Sequence, residues 1–327
     1  PEFFHQDNDG QPITTVSAWS DVIDLKHPNP DLQNYLIDTL CNWVKMGVDG
    51  FRCDVAAIIP LSFWKEVKAR VEAINPDIIL LAESVHTKFI IERRQQGLIA
   101  HSDGELYQAF DLTYDYDIWQ IWQASVEGRV PVRRYLEMLE FQKGIYPPQA
   151  IKMRCTENHD NSRIMALASN KIAANAWTAF EIFNKGAFLI YAGQEAGEIH
   201  TPSLFDIDKV NWNDYPLQGW LSNLINIKKS EIFINGIQKF HASAPAIQVS
   251  WVDENECLYG IFNTSGLSDT IPCQLPDGLY RDLITEEEIK INNQQLYLHN
   301  KSAIIFKTEP VSLPTPLKFD LLSFEIL

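Results

Sequence analysis

Over the first 235 residues, short unbroken apolar runs alternate with longer stretches in which apolar positions recur every three or four residues. Ile78-Ile79-Leu80-Leu81-Ala82 typifies the first pattern. It is a few branched or long aliphatic residues without polar alternation, as in a strand buried on both faces of a parallel sheet. The stretch 31–46 typifies the second, with a stripe of Leu32, Tyr35, Leu36, Leu40, Trp43 and Val44 introduced by Asn29-Pro30, the signature of a helix. In chain order the pattern predicts strand 48–53, helix 61–73, strand 78–82, helix 87–96, strand 107–112 and helical stretches over 117–126 and 131–142. Strand 150–156, helix 171–184, strand 187–192 and a last helix over 217–234 complete the series. Strands feeding crossover helices in this way form the second part of an eightfold barrel.

After Asn235-Gly236 the texture changes. Short alternating segments over 246–251, 257–262, 279–283, 295–298 and 303–306 are separated by Asn, Gly, Pro and Asp, which reads as an all-β domain. The predicted fold is therefore α/β, a partial (β/α)8 TIM barrel over 23–235, followed by an all-β C-terminal sandwich over 236–327. We expect this tail domain to pack against the barrel rather than to bind ligand.

Composition narrows the partners. No apolar run approaches the ~20 residues a membrane helix needs, so no membrane partner is expected. A net charge of −16 over 327 residues disfavours nucleic acid and anionic lipid while leaving neutral ligands open. The five cysteines, Cys41, Cys53, Cys155, Cys257 and Cys273, lack metal-ligand spacing and read as buried free thiols. Such thiols suit a reducing compartment, so a cytoplasmic location is expected.

The apolar runs also place acids at strand ends. Asp54 follows Gly50-Phe51-Arg52-Cys53, Glu83 follows Leu80-Leu81-Ala82, and Asp160 closes Met153-Arg154-Cys155-Thr156-Glu157-Asn158-His159. In a ring of parallel strands the loops at that end converge on one mouth, where active sites are built. The three carboxylates are expected to meet there. Two carboxyls about 5–5.5 Å apart can cleave a glycosidic bond with retention, one as nucleophile and the other as acid and then base. Arg52 shares the strand face of Asp54 by the period of two and would keep it ionised. The apolar residues before Glu83 would favour a protonated acid, and His159 with Asp160 would hold sugar hydroxyls.

These residues carry a resemblance. Gly50-Phe51-Arg52-Cys53-Asp54 resembles the second conserved region of the α-amylase superfamily, Ala82-Glu83-Ser84 the third, and Glu157-Asn158-His159-Asp160-Asn161 the fourth. The resemblance implies a retaining α-glycosidase acting on α-1,4-glucans or malto-oligosaccharides. Asp54 would be the nucleophile, Glu83 the acid/base and Asp160 the transition-state stabiliser, supported by Arg52 and His159. Trp19-Ser20-Asp21-Val22-Ile23-Asp24-Leu25 and Asn29-Pro30-Asp31-Leu32 resemble the exit from the family's inserted B domain, so 1–22 is read as the tail of that domain. The family's first region, Asp-x-x-x-x-Asn-His, has no match in the sequence. The expectation is that the first barrel strands lie in a preceding segment of the same protein or in another chain.

A second departure follows Asp54. Many family members carry Lys-His a few residues on, serving an acceptor subsite and, through the His carbonyl, calcium. This chain reads Val55-Ala56-Ala57-Ile58. No metal or cofactor is required by this reading, with calcium left open through Asp24, otherwise a turn residue before the helix. Beyond the last strand, Phe205, Trp212, Tyr215 and Trp220 offer flat faces for glucose rings or core packing, as do Tyr114 and Tyr116. Trp212 and Tyr114 are taken as substrate-binding candidates. His86, His101, His200 and His241 read as surface or capping residues. Asp111 and Glu195 are read as strand ends that cap the following helices. Two other functions stay open: a transglycosylase or isomerase of the same superfamily, and a non-catalytic carbohydrate-binding protein of the same fold.

Overall fold

Helix α1 (Pro30–Lys45) starts where its sequence signals it. Asn29 Oδ1 accepts from the N–H groups of Asp31 and Leu32 at 3.0 and 3.2 Å, and Pro30 occupies the first turn, where a missing N–H leaves nothing unpaired. Its buried face is Leu32, Ile37, Cys41 and Val44, whereas Tyr35 and Trp43 of the expected stripe point to solvent. Large apolar residues lie on both flanks of the stripe, and periodicity alone does not fix which flank turns inward. The coordinates are a computed structural model describing residues 2–16, 19, 22–212, 214–308, 313 and 315–319. The chain forms two compact units, Pro1–Asp117 with Pro147–Ala150, and Ile118–Tyr146 with Ile151–Leu327.

The first unit continues through β1 (Gly50–Cys53), α2 (Leu61–Glu72), β2 (Ile79–Ala82), α3 (Thr87–Gln95), α4 (Asp103–Leu106) and β3 (Leu112–Tyr114). β1 and β2 pair in parallel from Gly50↔Ile79 to Cys53↔Ala82, and β2 pairs with β3 at Leu81↔Leu112 and Ala82↔Thr113. Gly50 is needed at the start of this ladder, because a Cβ there would lie 2.6 Å from the Ile79 carbonyl oxygen. Val67 and Val71 of α2 are buried in one cluster with Leu80 and Ala82. Trp64 packs at 5.0 Å from both Phe63 and Phe110 and donates its indole N–H to Ala56 O at 3.0 Å.

The strand expected over 107–112 starts at Leu112. The residues ahead of it form α4 and the turn that follows it, the helix being capped by Glu105, whose carboxylate accepts from both the N–H and the hydroxyl of Ser102 at 2.7 Å. Leu106, Ala109 and Phe110 are buried, which gave this turn the apolar look of a strand. Asp111 consequently stands before β3, not at a strand end, and accepts from Leu80 N and Lys68 Nζ, both at 2.8 Å. In the leading segment Phe4 bridges Leu25. Ser20 and Asp21 of the exit motif lie outside the described residues.

The second unit holds α5 (Trp119–Val126), α6 (Val132–Ile145), β4 (Ile151–Arg154), α7 (Ile164–Leu167), α8 (Lys171–Phe183), β5 (Ala187–Phe188), α9 (Gln218–Lys228) and α10 (Ile232–Asn235). β4 and β5 are parallel, with Met153↔Ala187 and Arg154↔Phe188 in register. The expected strand 187–192 is thus two residues long, and the expected helix 217–234 is broken between α9 and α10. α8 is buried on nearly every side through Ala173, Ala176, Trp177, Phe180 and Phe183. Such a helix is core rather than covering.

The all-β part comprises β6 (Ile237–Ala242), β7 (Ile247–Val252), β8 (Cys257–Phe262), β9 (Thr270–Pro272), β10 (Gly278–Arg281), β11 (Glu288–Ile291), β12 (Gln295–Tyr297) and β13 (Ala303–Thr308). Four strands form an antiparallel sheet in the order β13-β8-β7-β6, and β9–β12 and β10–β11 form antiparallel pairs. The sheet seats on the end of α8. Phe180 and Phe183 meet Phe262 at 5.4 and 5.3 Å, Trp251 Nε1 donates to Phe183 O at 2.9 Å, and Gln238 Nε2 donates to Asn184 Oδ1 at 2.8 Å. His241, read from sequence as a surface or capping residue, is buried here, bonded to Ser250 Oγ at 2.8 Å and stacked on Tyr259. All five cysteines are buried and free, and burial pushes the Cys53 thiol up to about 12 and those of Cys257 and Cys273 to about 11.

Lys228, at the end of α9, sets its ammonium on the Asn184 carbonyl and 4.6 Å from the Phe233 ring. Burial, with the Arg154 charge as a lesser cause, brings its pKa down to about 7. Between that value and the ordinary lysine range the unfolded chain binds the extra proton, so this group makes stability rise with pH over that window. Lys228→Met is expected to flatten the rise, as read from urea midpoints of both proteins at pH 7 and 9.

Candidate active site

The register of β1 and β2 carries one step past their ends, because Glu83 N donates to Cys53 O at 3.0 Å. Asp54 and Glu83 therefore leave adjacent parallel strands side by side, at the end where parallel sheets expose their loops. Arg52, two residues before Asp54, reaches both acids. Its Nη1 contacts Asp54 Oδ1, and its Nη2 lies 2.8 Å from Glu83 Oε1 as a close charge contact rather than an aligned hydrogen bond. Burial opposes the charge on Arg52, yet the Tyr114 hydroxyl and the Glu83 charge outweigh it and hold its pKa above the ordinary value.

The two carboxylates differ in exposure, the Asp54 side chain being 78% exposed and that of Glu83 12%. Glu83 does not, however, meet the purely apolar surround expected from the residues before it. Its Oε2 accepts the Val55 N–H at 2.6 Å, and Arg52 faces the other oxygen. Val55 adopts the left-handed region, with φ 41° and ψ 41°. For a β-branched residue this conformation costs roughly 1–2 kcal/mol and is a true outlier. It lets the chain present the N–H to Glu83 and then turn directly into the single helical turn Ala56–Ile58.

Tyr114 ends β3 and is buried, its hydroxyl accepting from Arg52 Nε at 3.3 Å and its ring 5.6 Å from the guanidinium carbon. Tyr116 packs edge-on against it at 5.1 Å and stacks on His86, and Ser84 Oγ donates to Tyr114 O at 2.9 Å. This aromatic group braces Arg52 from behind. A cavity of about 440 Å³ opens beside Asp54 and Val55.

His159 and Asp160 belong to the second unit, beyond β4. His159 Nε2 lies 3.2 Å from Asp160 Oδ2, and both side chains are partly exposed. Asn158 turns the loop, its Oδ1 accepting from Asp160 N at 3.0 Å and Asn161 Nδ2 at 2.9 Å. Beneath it, Glu157 and Arg163 form a fully buried ion pair at 2.7 Å. Glu157 Oε2 also accepts Ile164 N, and Arg163 donates to the carbonyls of His200 and Ala192. Burial pushes the Glu157 carboxyl up, against the pull of the Ile164 N–H and of Arg163. Trp212 and Tyr215 are exposed rings 5.5 Å apart, and Phe205 is more exposed still. Glu195 lies in a single helical turn and accepts the Gly193 N–H at 3.0 Å.

Asp24, the residue through which calcium was left open, already accepts from the N–H and hydroxyl of Thr15. Among the described residues no group of three His, Cys, Asp or Glu side chains is gathered to ligate an ion. Among the described residues no helix is long and apolar enough to cross a membrane.

Residues 16–231 match the family described as alpha amylase, catalytic domain, and residues 240–305 match the bacterial alpha amylase C-terminal domain. The chain belongs to the α-amylase family. It is 23% identical to neopullulanase 2 of Thermoactinomyces vulgaris over 84% of this chain and 47% of that protein. It is 26% identical to the alpha-amylase MalA of Haloarcula japonica over 70% of this chain and 32% of that one. The chain thus spans about half or less of these curated relatives. Among solved structures, an alpha-amylase from Lactobacillus plantarum superposes with a TM-score of 0.86 at 35% identity, covering 94% of this chain and 73% of that one. The maltogenic alpha-amylase AmyB of Thermotoga neapolitana gives 0.75 at 26%, covering 94% and 70%.

Sequence reasoning did not find the Val55 N–H on Glu83, the bracing of Arg52 by Tyr114, or the Glu157–Arg163 pair. Glu157 and Arg163 stand six apart in a loop, where no period points one at the other. Removing one member leaves the other charge buried and alone. Arg163→Met is expected to destabilise the protein by about 3–5 kcal/mol, and the double variant Glu157→Leu/Arg163→Met by clearly less, as measured by equilibrium denaturation.

Proposed function

We propose that this chain carries the nucleophile and the acid/base of a retaining glycosidase that cuts α-1,4-glucans or malto-oligosaccharides by double displacement. The observation that supports it is the single guanidinium of Arg52 shared by Asp54 and Glu83 at the ends of adjacent parallel strands. Asp54, exposed and paired with a permanent cation, attacks the anomeric carbon. Glu83, recessed and held at both oxygens, gives a proton to the departing glycosidic oxygen and later takes one from water. Asp160 and His159 are assigned to the sugar hydroxyls and to the positive charge that develops on the ring. Trp212 is assigned to stacking on a glucose face. Members of the family named as amylases and a neopullulanase are consistent with an α-glucan substrate.

In the intact protein, Asp54→Asn is expected to lower turnover of maltoheptaose by at least about 10³-fold while leaving the unfolding midpoint unchanged. Reducing-sugar release measures the first and circular dichroism the second. Undiminished hydrolysis by the variant would remove Asp54 from this role. Solvent ¹⁸O in the product of the unmodified protein would mark hydrolysis, and its absence would mark transfer to another sugar.

A further inference from the structure

In the all-β part, β11 and β12 turn one side to solvent. Alternation along the two strands sends Ile289, Ile291 and Leu296 into the core, so Glu288 and Lys290 of β11 and Tyr297 of β12 project outward. Together with Glu287, His299 and Lys301 they line a surface cavity of about 710 Å³, a volume within the range of small-ligand sites.

Tyr297 is not needed by the core. Leu296 and Leu298 on either side of it are 1% exposed, whereas Tyr297 is 45% exposed. Its ring is nonetheless held in place. His299 and Asn300 adopt left-handed backbone, with φ 46° and 60°, and Lys301 N closes the turn on Leu298 O at 2.7 Å. That turn sets the imidazole against the Tyr297 ring in an edge arrangement, with centroids 4.1 Å apart. Strand preference accounts for a tyrosine at this position, but not for an imidazole turned back to brace it.

The charges around the ring cancel. Lys301 Nζ pairs with Glu287 and donates to Thr285 Oγ1 at 3.4 Å. The side chains of Glu288 and Lys290 form no hydrogen bond or ion pair among the described residues. Two ammonium groups and two carboxylates thus offer donors and acceptors with no net charge, which suits a neutral polyhydroxyl ligand better than a polyanion or a polycation.

We propose that this face is a separate carbohydrate site, where Tyr297 stacks on a glucose unit of an α-1,4-glucan and Glu288 and Lys290 hydrogen-bond its hydroxyls. The inference rests on the α-glucan reading given above and extends it to the C-terminal part of the chain. A pyranose carries C–H groups on its faces and hydroxyls around its rim. The phenol ring covers the first, and the free charged groups meet the second. Because His299 already holds the ring, little side-chain freedom is lost on binding.

The test measures co-sedimentation with starch granules of the intact protein carrying Asp54→Asn, so that the glucan is not consumed. Adding Tyr297→Thr is expected to weaken binding by about tenfold, the scale of losing one aromatic anchor. Threonine suits a strand and would face Thr270 in register, and a melting curve checks that the variant folds as its parent does. Tyr297→Phe, which keeps the ring and drops the hydroxyl, should retain most of the binding, and Glu288→Ala/Lys290→Ala should weaken it severalfold. With Asp54 intact, Tyr297→Thr is expected to leave kcat/KM for maltotriose unchanged and to slow attack on granules. Absence of granule binding, or binding unchanged by Tyr297→Thr or by the double substitution, would overturn the inference. Equal losses in the threonine and phenylalanine variants, or a matching fall on maltotriose, would overturn it as well. Failure of all turnover with Asp54 intact would count against the proposed reaction, while co-sedimentation would still decide whether Tyr297 holds glucan.

Discussion

Two carboxylates at neighbouring strand ends repel, and the first unit is organised around the cation that reconciles them. Arg52 lies between Asp54 and Glu83, and everything behind it serves to keep it there. The Tyr114 hydroxyl takes its Nε, the Tyr116 ring supports Tyr114, and Ser84 ties the Tyr114 carbonyl back to the strand that carries Glu83. A guanidinium suits this role because it is planar, forked and always charged. A lysine could meet one acid or the other, but its point charge would not span both while also meeting a phenol.

The second unit solves a different problem with a related device. The loop that bears His159 and Asp160 is irregular, and irregular backbone near a core leaves carbonyls and N–H groups to be satisfied. The Glu157–Arg163 pair does this in both directions, the carboxylate accepting an N–H at the start of α7 and the guanidinium donating to two carbonyls of the loop that follows β5. The pair is costly to bury and is therefore better understood as fixing the shape of the loop than as adding stability.

Much of this was legible in the sequence because it rests on periodicity. The parallel strands, the helices between them and the shift to short alternating strands after Gly236 all follow from where apolar residues recur. The positions of Asp54 and Glu83 at strand ends follow from the same pattern, as does Arg52 on the face of Asp54. What was not legible depended on backbone direction or on packing at a distance. The stretch around Leu106 and Phe110 is apolar because it is buried, not because it is a strand, and only the Ser102–Glu105 cap betrays the helix. His241 carries no motif, and its burial is decided by side chains from β7 and β8, the next strands of its sheet. The left-handed turn at Val55 runs against its residue type, so no propensity rule would have placed it there.

The end of α8 carries a consequence for the evolution of the chain. A helix leaves its last carbonyls without internal donors. Here Trp251 of the all-β part answers Phe183, the ammonium at the end of α9 answers Asn184, and the Asn184 amide oxygen is taken by Gln238. The appended module is thus part of the helix terminus rather than a passenger beside it. Exchanging it for a foreign module, or trimming it away, would take from that terminus the indole donor on Phe183 O and the amide donor on the Asn184 side chain, and open the most thoroughly enclosed helix of the unit to water. A module shuffled in at this boundary has to bring hydrogen-bond donors to the same two places.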